Sequence, residues 1–220
     1  MKSKDLPIIN EQFWDALFFN GTMPWDRNQT PNELTPSFST ALLPRDRNQT
    51  PNELKHYLKR IADKAHSVFI PGCGAAYEVS HFVDCGHDVI AMDYSAEAVN
   101  LAKSQLGQHQ DKVMLGDVFN ADFSRAFDVI YERAFLAALP REIWGDYFAM
   151  IERLLPSNGL LVGYFVISDD YRSRFPPFCL RSGEIEQKLA ANFHLIESAP
   201  VTDSVDVFKG KEQWMVWQKK

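Results

Sequence analysis

The sequence predicts an α/β fold: a doubly wound, mostly parallel seven-stranded sheet with a C-terminal antiparallel edge hairpin and a helical N-terminal lid. Two observations carry this. From Ser67 onward, short apolar runs alternate with stretches whose apolar residues recur every three or four positions, the pattern of parallel strands linked by helices. The runs are apolar throughout rather than alternating, as strands buried on both faces are.

The strands are expected at Ser67–Pro71 (SVFIP), Asp88–Met92 (DVIAM), Lys112–Leu115 (KVML), Phe127–Tyr131 (FDVIY) and Gly159–Ile167 (GLLVGYFVI). Helices are expected between them at Glu78–Cys85, Ala96–Leu106 and Glu142–Leu155. Ser95 reads as the N-cap of the second helix, and Pro156-Ser-Asn-Gly159 as the turn that ends the third. The final third reads as a helix at Glu184–Phe193, then strands at His194–Ser198 and Gln213–Gln218, the last two forming the edge hairpin.

The 220 residues suit one globular unit, divided into a lid or cap segment over 1–65 and the main α/β domain over 66–220. The cap carries an amphipathic helical pattern at Glu11–Asn20, followed by a turn-rich stretch, Gly21-Thr-Met-Pro-Trp-Asp26. The nine residues Asp26–Leu34 (DRNQTPNEL) recur verbatim at Asp46–Leu54, an offset of 20. One recurrence is too few for a solenoid, so it reads as an incidental surface insertion, with a functional second site as the weaker alternative. Lys55–Asp63 then leads into the α/β domain.

Hydrophobic residues make up 45% and charged residues 24%, so a packed core is within reach. The net charge of −6 argues against nucleic acid and anionic membranes as partners, since both select a basic face. No window approaches a membrane span. Cys73, Cys85 and Cys179 form no CxxC pair, which points to a reducing, cytoplasmic setting without structural zinc. No heptad pattern appears, and a monomer is expected.

The first strand runs into Pro71-Gly-Cys-Gly-Ala-Ala-Tyr77. Gly72 and Gly74 permit a tight turn and let backbone approach a ligand where a Cβ would collide. Asp93 ends the second strand, 19 residues after Gly74, the position that accepts hydrogen bonds from ribose hydroxyls in nucleotide-binding α/β domains. Asp117 follows the third strand, where a carboxylate can receive an adenine amino group. All three features lie at the carboxyl ends of strands, where open α/β sheets bind ligands. The dinucleotide fingerprint GxGxxG would need glycine at 77, but Tyr77 stands there; in the pattern GxGxG the third small residue falls at Ala76. A sulfonium cofactor carries no phosphate to seat on the helix end. The pattern therefore favours S-adenosylmethionine over NAD.

Several segments together resemble the thiopurine S-methyltransferase family, which includes thiol, halide and thiocyanate methyltransferases. They are Trp25-Asp26, Val68-Phe-Ile-Pro-Gly-Cys-Gly74, Gly86-His-Asp-Val-Ile-Ala-Met-Asp93, Asp128-Val-Ile-Tyr-Glu-Arg-Ala-Phe-Leu-Ala-Ala-Leu139 and Pro176-Pro-Phe178. The match runs in order from about Phe13 to the C-terminus. It departs at the duplicated stretch, where removing 20 residues restores the family's spacing. The resemblance implies a Rossmann-like domain with S-adenosylmethionine as cofactor and S-adenosylhomocysteine as product. It implies that Trp14, Phe18 and Trp25 line the cofactor, with Gly72 at its methionine moiety, Asp93 at the ribose, and Asp117 with Val118 at the adenine. Cys73, Gly74 and Tyr94 complete the expected cofactor-binding set, Arg133 faces the cofactor, and Pro176-Pro-Phe178 borders the substrate pocket.

Methyl transfer from a sulfonium needs alignment and exclusion of water, and aromatic faces attract the positive sulfur. Thiolates and halides are strong nucleophiles, so no general base is demanded, and no residue is assigned that role. Arg133 or Arg174 would favour a thiolate by lowering a thiol's pKa. Cys73 reads as a loop filler. The expected partner is a small-molecule methyl acceptor. Two other readings stand beside this one: an NAD-dependent oxidoreductase, against which Tyr77 and the aromatic N-terminal segment speak, and a non-catalytic cofactor-binding protein.

Overall fold

One sheet organises the described residues, in strand order β3-β2-β1-β4-β5-β7-β6. The structure is a computed structural model that describes residues 9–20, 51–170, 174–204 and 208–220. Its strands are β1 (Ser67–Pro71), β2 (Asp88–Asp93), β3 (Val113–Leu115), β4 (Val129–Arg133), β5 (Leu160–Val166), β6 (Phe193–Pro200) and β7 (Glu212–Lys219). The first five pair in parallel; β7 pairs antiparallel with both β5 and β6. The order reverses between β1 and β4, which opens a crevice at the carboxyl ends of these strands.

The helices are α1 (Glu11–Phe19), α2 (Asn52–Arg60), α3 (Val79–Asp84), α4 (Ala96–Leu106), α5 (Phe135–Ala138), α6 (Trp144–Leu154) and α7 (Glu184–Leu189). One face of the sheet buries Leu54, Tyr57, Phe82 and Val99 from α2, α3 and α4. The other buries Tyr147, Met150, Ile151 and Ile185 from α6 and α7 against Phe69, Ile130 and Phe165. Each such side chain, fully buried, contributes about 1.5–3 kcal/mol. No helix among the described residues is long and apolar enough to cross a membrane.

The expected sheet, its order of elements and its antiparallel C-terminal pair are all present. β1 and α4 have the expected bounds, and Ser95 Oγ accepts from the Ala98 N–H at 3.2 Å as the α4 cap. β4 starts two residues later than the apolar run that predicts it. Phe127 N–H instead donates to the Leu154 carbonyl at 2.9 Å, and the Asp128 carboxylate accepts from Ser67 N–H and Oγ at 2.8 and 2.9 Å. These two residues anchor the strand instead of extending it. α6 likewise starts at Trp144, after Pro140 and a 3₁₀ turn at Arg141–Ile143. α2 begins three residues ahead of the expected Lys55, within the second repeat copy. Trp25, the first copy and the start of the second lie outside the described residues.

Candidate functional site

The crevice holds an open cavity of about 190 Å³ above β1, β2 and β3. Its walls include Trp14, Gly72, Asp93, Tyr94, Asp117 and Val118, six of the residues singled out from sequence. Asn10, Phe119, Phe135, Leu139 and Ile143 close its sides.

The glycine loop leaves β1 through Gly72 (φ +57°) and Gly74 (φ +53°), both in the left-handed region that glycine enters at low cost. A Cβ on Gly72 would stand 2.0 Å from a ring carbon of Phe135. The open side of Gly72 is therefore taken by that ring, and both residues wall the cavity. Beside Gly74 lies Phe18, whose Cζ is 3.4 Å from where a Cβ would be.

Asp93 is buried and holds the loop in place. Its Oδ2 accepts from the Gly74 N–H at 2.9 Å and its Oδ1 from the Ser95 N–H at 3.0 Å. Burial pushes its carboxyl above the usual range, opposed by the N–H groups of Ser95, Gly74 and Tyr94. A carboxylate offers about four lone-pair sites, so capacity remains for a ligand hydroxyl. Asp117 is exposed at its rim; its Oδ1 accepts from Phe119 N–H at 2.9 Å and its Oδ2 from Asn120 Nδ2 at 2.6 Å.

α1 carries Trp14 to the site because Asp15 ties it to the start of α4. The Asp15 carboxylate accepts from Ser95 Oγ at 2.5 Å and from Glu97 N–H at 3.3 Å. Asn10 caps α1 by accepting from Phe13 N–H at 3.1 Å.

Other expected residues stand apart from the cavity walls. Arg133 lies in an ion-paired cluster, its Nη1 2.6 Å from Glu212 Oε1 and its Nε 3.9 Å from Glu78. Its guanidinium sits 4.3 Å over the Tyr164 ring, and the neighbouring carboxylates raise its pKa against the opposing effect of burial. Cys73 packs beside the loop with its Sγ 3.8 Å from the Gly74 carbonyl, and burial pushes its thiol well upward. Arg174 is exposed. Phe178 is half-buried, its N–H donating to the Ala137 carbonyl at 2.7 Å.

Sequence reasoning missed Phe135 and Glu132. Glu132 is fully buried at the end of β4. Its Oε2 accepts from Tyr147 OH at 2.7 Å and its Oε1 from Leu136 N–H at 3.1 Å. Burial pushes its carboxyl up to about 7, against the lowering effect of those donors. An acid within an otherwise apolar run, Val129-Ile-Tyr-Glu132, was the available signal.

The cavity fits an adenosyl sulfonium. Two acidic side chains at consecutive strand ends can take hydroxyl and amino groups, Val118 and Leu139 offer apolar wall, and Trp14, Phe119 and Phe135 supply aromatic rings.

The family model for thiopurine S-methyltransferase matches residues 35–220. The thiopurine S-methyltransferase of Francisella tularensis subsp. novicida (strain U112) is 26% identical over 166 residues, covering 66% of this chain and 73% of the relative. That of Shewanella sp. (strain W3-18-1) is 30% identical over 162 residues, covering 64% and 73%. The magnesium protoporphyrin IX methyltransferase of Synechocystis PCC 6803, solved with bound SAM, superposes with a TM-score of 0.69 at 12% identity, over 99% of this chain and 100% of that one. The 1,6-didemethyltoxoflavin-N1-methyltransferase of Burkholderia thailandensis, solved with S-adenosylhomocysteine, gives 0.69 at 18% identity, over 98% and 93%. At these identities the two structures speak for the fold alone.

Proposed function

From the premise that the chain belongs to the thiopurine S-methyltransferase family, and so is an S-adenosylmethionine-dependent methyltransferase, we propose that its acceptor is a small soft nucleophile. Sulfur, in a thiol or a thiopurine, is the first choice, and a halide or thiocyanate the second. The family supports the acceptor class, and the observation that supports the cofactor's place is that Asp93, Asp117 and Trp14 line one cavity.

When bound, the cofactor supplies an electrophilic methyl on a positively charged sulfur. Asp93 would accept the ribose hydroxyls while still holding Gly74 and Ser95. Asp117 and Val118 would hold the adenine, the carboxylate accepting from its amino group and the isopropyl packing on its ring. Trp14 and Phe135 line the cavity; a desolvated cation held over an aromatic face gains about 1–2 kcal/mol. They also keep water from the acceptor, which leaves a soft anion more reactive. A thiolate needs no further activation, and no proton-accepting residue is assigned.

The test is isothermal titration with S-adenosylhomocysteine, with NADH as control. Micromolar binding of the first alone, lost in Asp93→Ala while the variant stays folded, is the expected result. A folded protein that binds neither compound, or NADH alone, refutes the assignment. A methyl-acceptor screen then starts with thiols and thiopurines and ends with halides.

A further inference from the structure

Among the described residues Glu132 forms no ion pair, and it does not line the cavity, yet it is a fully buried acid. At pH 8 a buried carboxylate destabilises a fold relative to a neutral side chain of equal size. Its contacts point to what that residue does. One oxygen holds Leu136 N–H and the other holds Tyr147 OH; the Phe135 N–H also favours its charged form. These donors belong to the turn that follows Arg133 and to the helix behind it. The turn opens with Ala134 in a left-handed conformation, φ +58° and ψ +16°, which non-glycine residues adopt only under constraint. It carries Phe135, whose ring fills the open side of Gly72, and Ala138 and Leu139, which also wall the cavity. Tyr147 in turn packs its ring 6.1 Å from that of Phe135.

We propose that Glu132 is a positioning residue for the cofactor site: it holds the Ala134–Leu139 turn, and with it the Phe135 ring against Gly72. The inference rests on the cavity being the cofactor site. The titratable and charged groups acting on Glu132 are Tyr147 of α6 and, on its own strand, Arg133. Arg133 points to the opposite face, where Glu212 and Glu78 accompany it. A carboxylate accepts from all its donors, whereas a protonated acid must turn one oxygen into a donor. The hold on the turn is therefore strongest when the group is ionised.

The sign for stability is the reverse. A carboxyl whose pKa is raised by folding stabilises the fold fully below its ordinary range, and that contribution is lost as pH rises through about 7. Positioning and stability thus move in opposite directions, which separates this role from a purely structural one.

The experiment measures S-adenosylhomocysteine affinity and melting temperature from pH 5.5 to 8.5 for wild type, Glu132→Gln and Tyr147→Phe. At pH 8, Glu132→Gln is expected to melt no lower than wild type and to bind about fivefold more weakly, the scale of one lost hydrogen bond. Its affinity stays flat with pH, while wild-type affinity weakens as pH falls through about 7. Tyr147→Phe removes a donor to the carboxylate and moves the wild-type midpoint to higher pH. Parallel loss of stability and affinity in Glu132→Gln overturns the proposal, as does a variant that keeps the wild-type pH profile. Failure of the wild type to bind at all counts against the cofactor assignment itself and is read from a separate arm.

Discussion

Replacing Gly72 by alanine tests the geometry at the heart of the site. The substitution has two costs that can be worked from the structure. Alanine at φ +57° costs about 1–2 kcal/mol relative to glycine. Its Cβ would also stand 2.0, 2.7 and 2.7 Å from three ring carbons of Phe135, so the ring must move. That ring is 9% exposed and packs near Tyr147 and Phe119; displacing a side chain from a packed position costs about 1–3 kcal/mol. Together the loss is about 2–5 kcal/mol. Gly74→Ala is the internal control. Its φ of +53° carries the same backbone cost, but its nearest neighbour, Phe18 Cζ, is at 3.4 Å, an ordinary contact. Urea denaturation of both variants isolates the Phe135 contribution, and titration with S-adenosylhomocysteine shows whether the moved ring narrows the cavity. Gly72→Ala is expected to be the less stable by at least about 1 kcal/mol and the weaker binder. If the two variants agree within about 0.5 kcal/mol, the ring does not rest where the argument needs it.

Three further outcomes follow from the same geometry. Ala134→Gly removes left-handed strain of about 1–2 kcal/mol but returns about 0.5–1 kcal/mol of unfolded-state entropy, so chemical denaturation is expected to show a net gain of up to about 1.5 kcal/mol. Arg133→Met leaves the buried Glu212 carboxylate uncompensated and is expected to cost about 3–5 kcal/mol; the double variant Arg133→Met/Glu212→Leu should cost less than the single one, read by a double-mutant cycle. Burial pushes the Asp128 carboxyl up, but the Ser67 N–H and hydroxyl outweigh it and hold it below the usual range. Its contribution is therefore present above that range and lost as pH falls, so Asp128→Asn is expected to destabilise at neutral pH and to converge on wild type only as pH falls below the usual carboxylate range in thermal melts.

The elements that sequence placed best are those whose signal is local. SVFIP is apolar after its first residue and runs into a glycine turn, which marks β1 as a buried strand. Ser95 announces α4 because a hydroxyl before a helical pattern satisfies an orphan N–H. Asp93 and Asp117 were legible for the same reason, since strand ends fix where the crevice lies. Phe127–Asp128 misled because an apolar run does not reveal that Asp128 reaches back to Ser67, 61 residues away. Arg133 was read as facing the cofactor, but its ion-pair partners were not legible: Glu212 lies 79 residues distant, and only the insertion of β7 beside β5 brings them together. Phe135 sits in the run Phe-Leu-Ala-Ala-Leu, where no pattern tells which ring will press on Gly72. Glu132 differs again. Its neighbours, donors and cost of burial all come from tertiary packing, and the sequence shows only an acid out of place.

The position of β7 has a consequence for how this chain comes to exist. Of the seven strands of this sheet, residues 212–219 are the last to be made, yet they occupy the penultimate place in it. Until they emerge, β5 shows a bare outer edge of seven residues and β6 has nothing to join. An exposed apolar edge invites pairing with other nascent chains. The sheet is thus completed only after its six other strands have been made. Premature stops, even within the final strand, are expected to yield aggregate in place of a weakened catalyst, because what they remove is a plank from inside the floor.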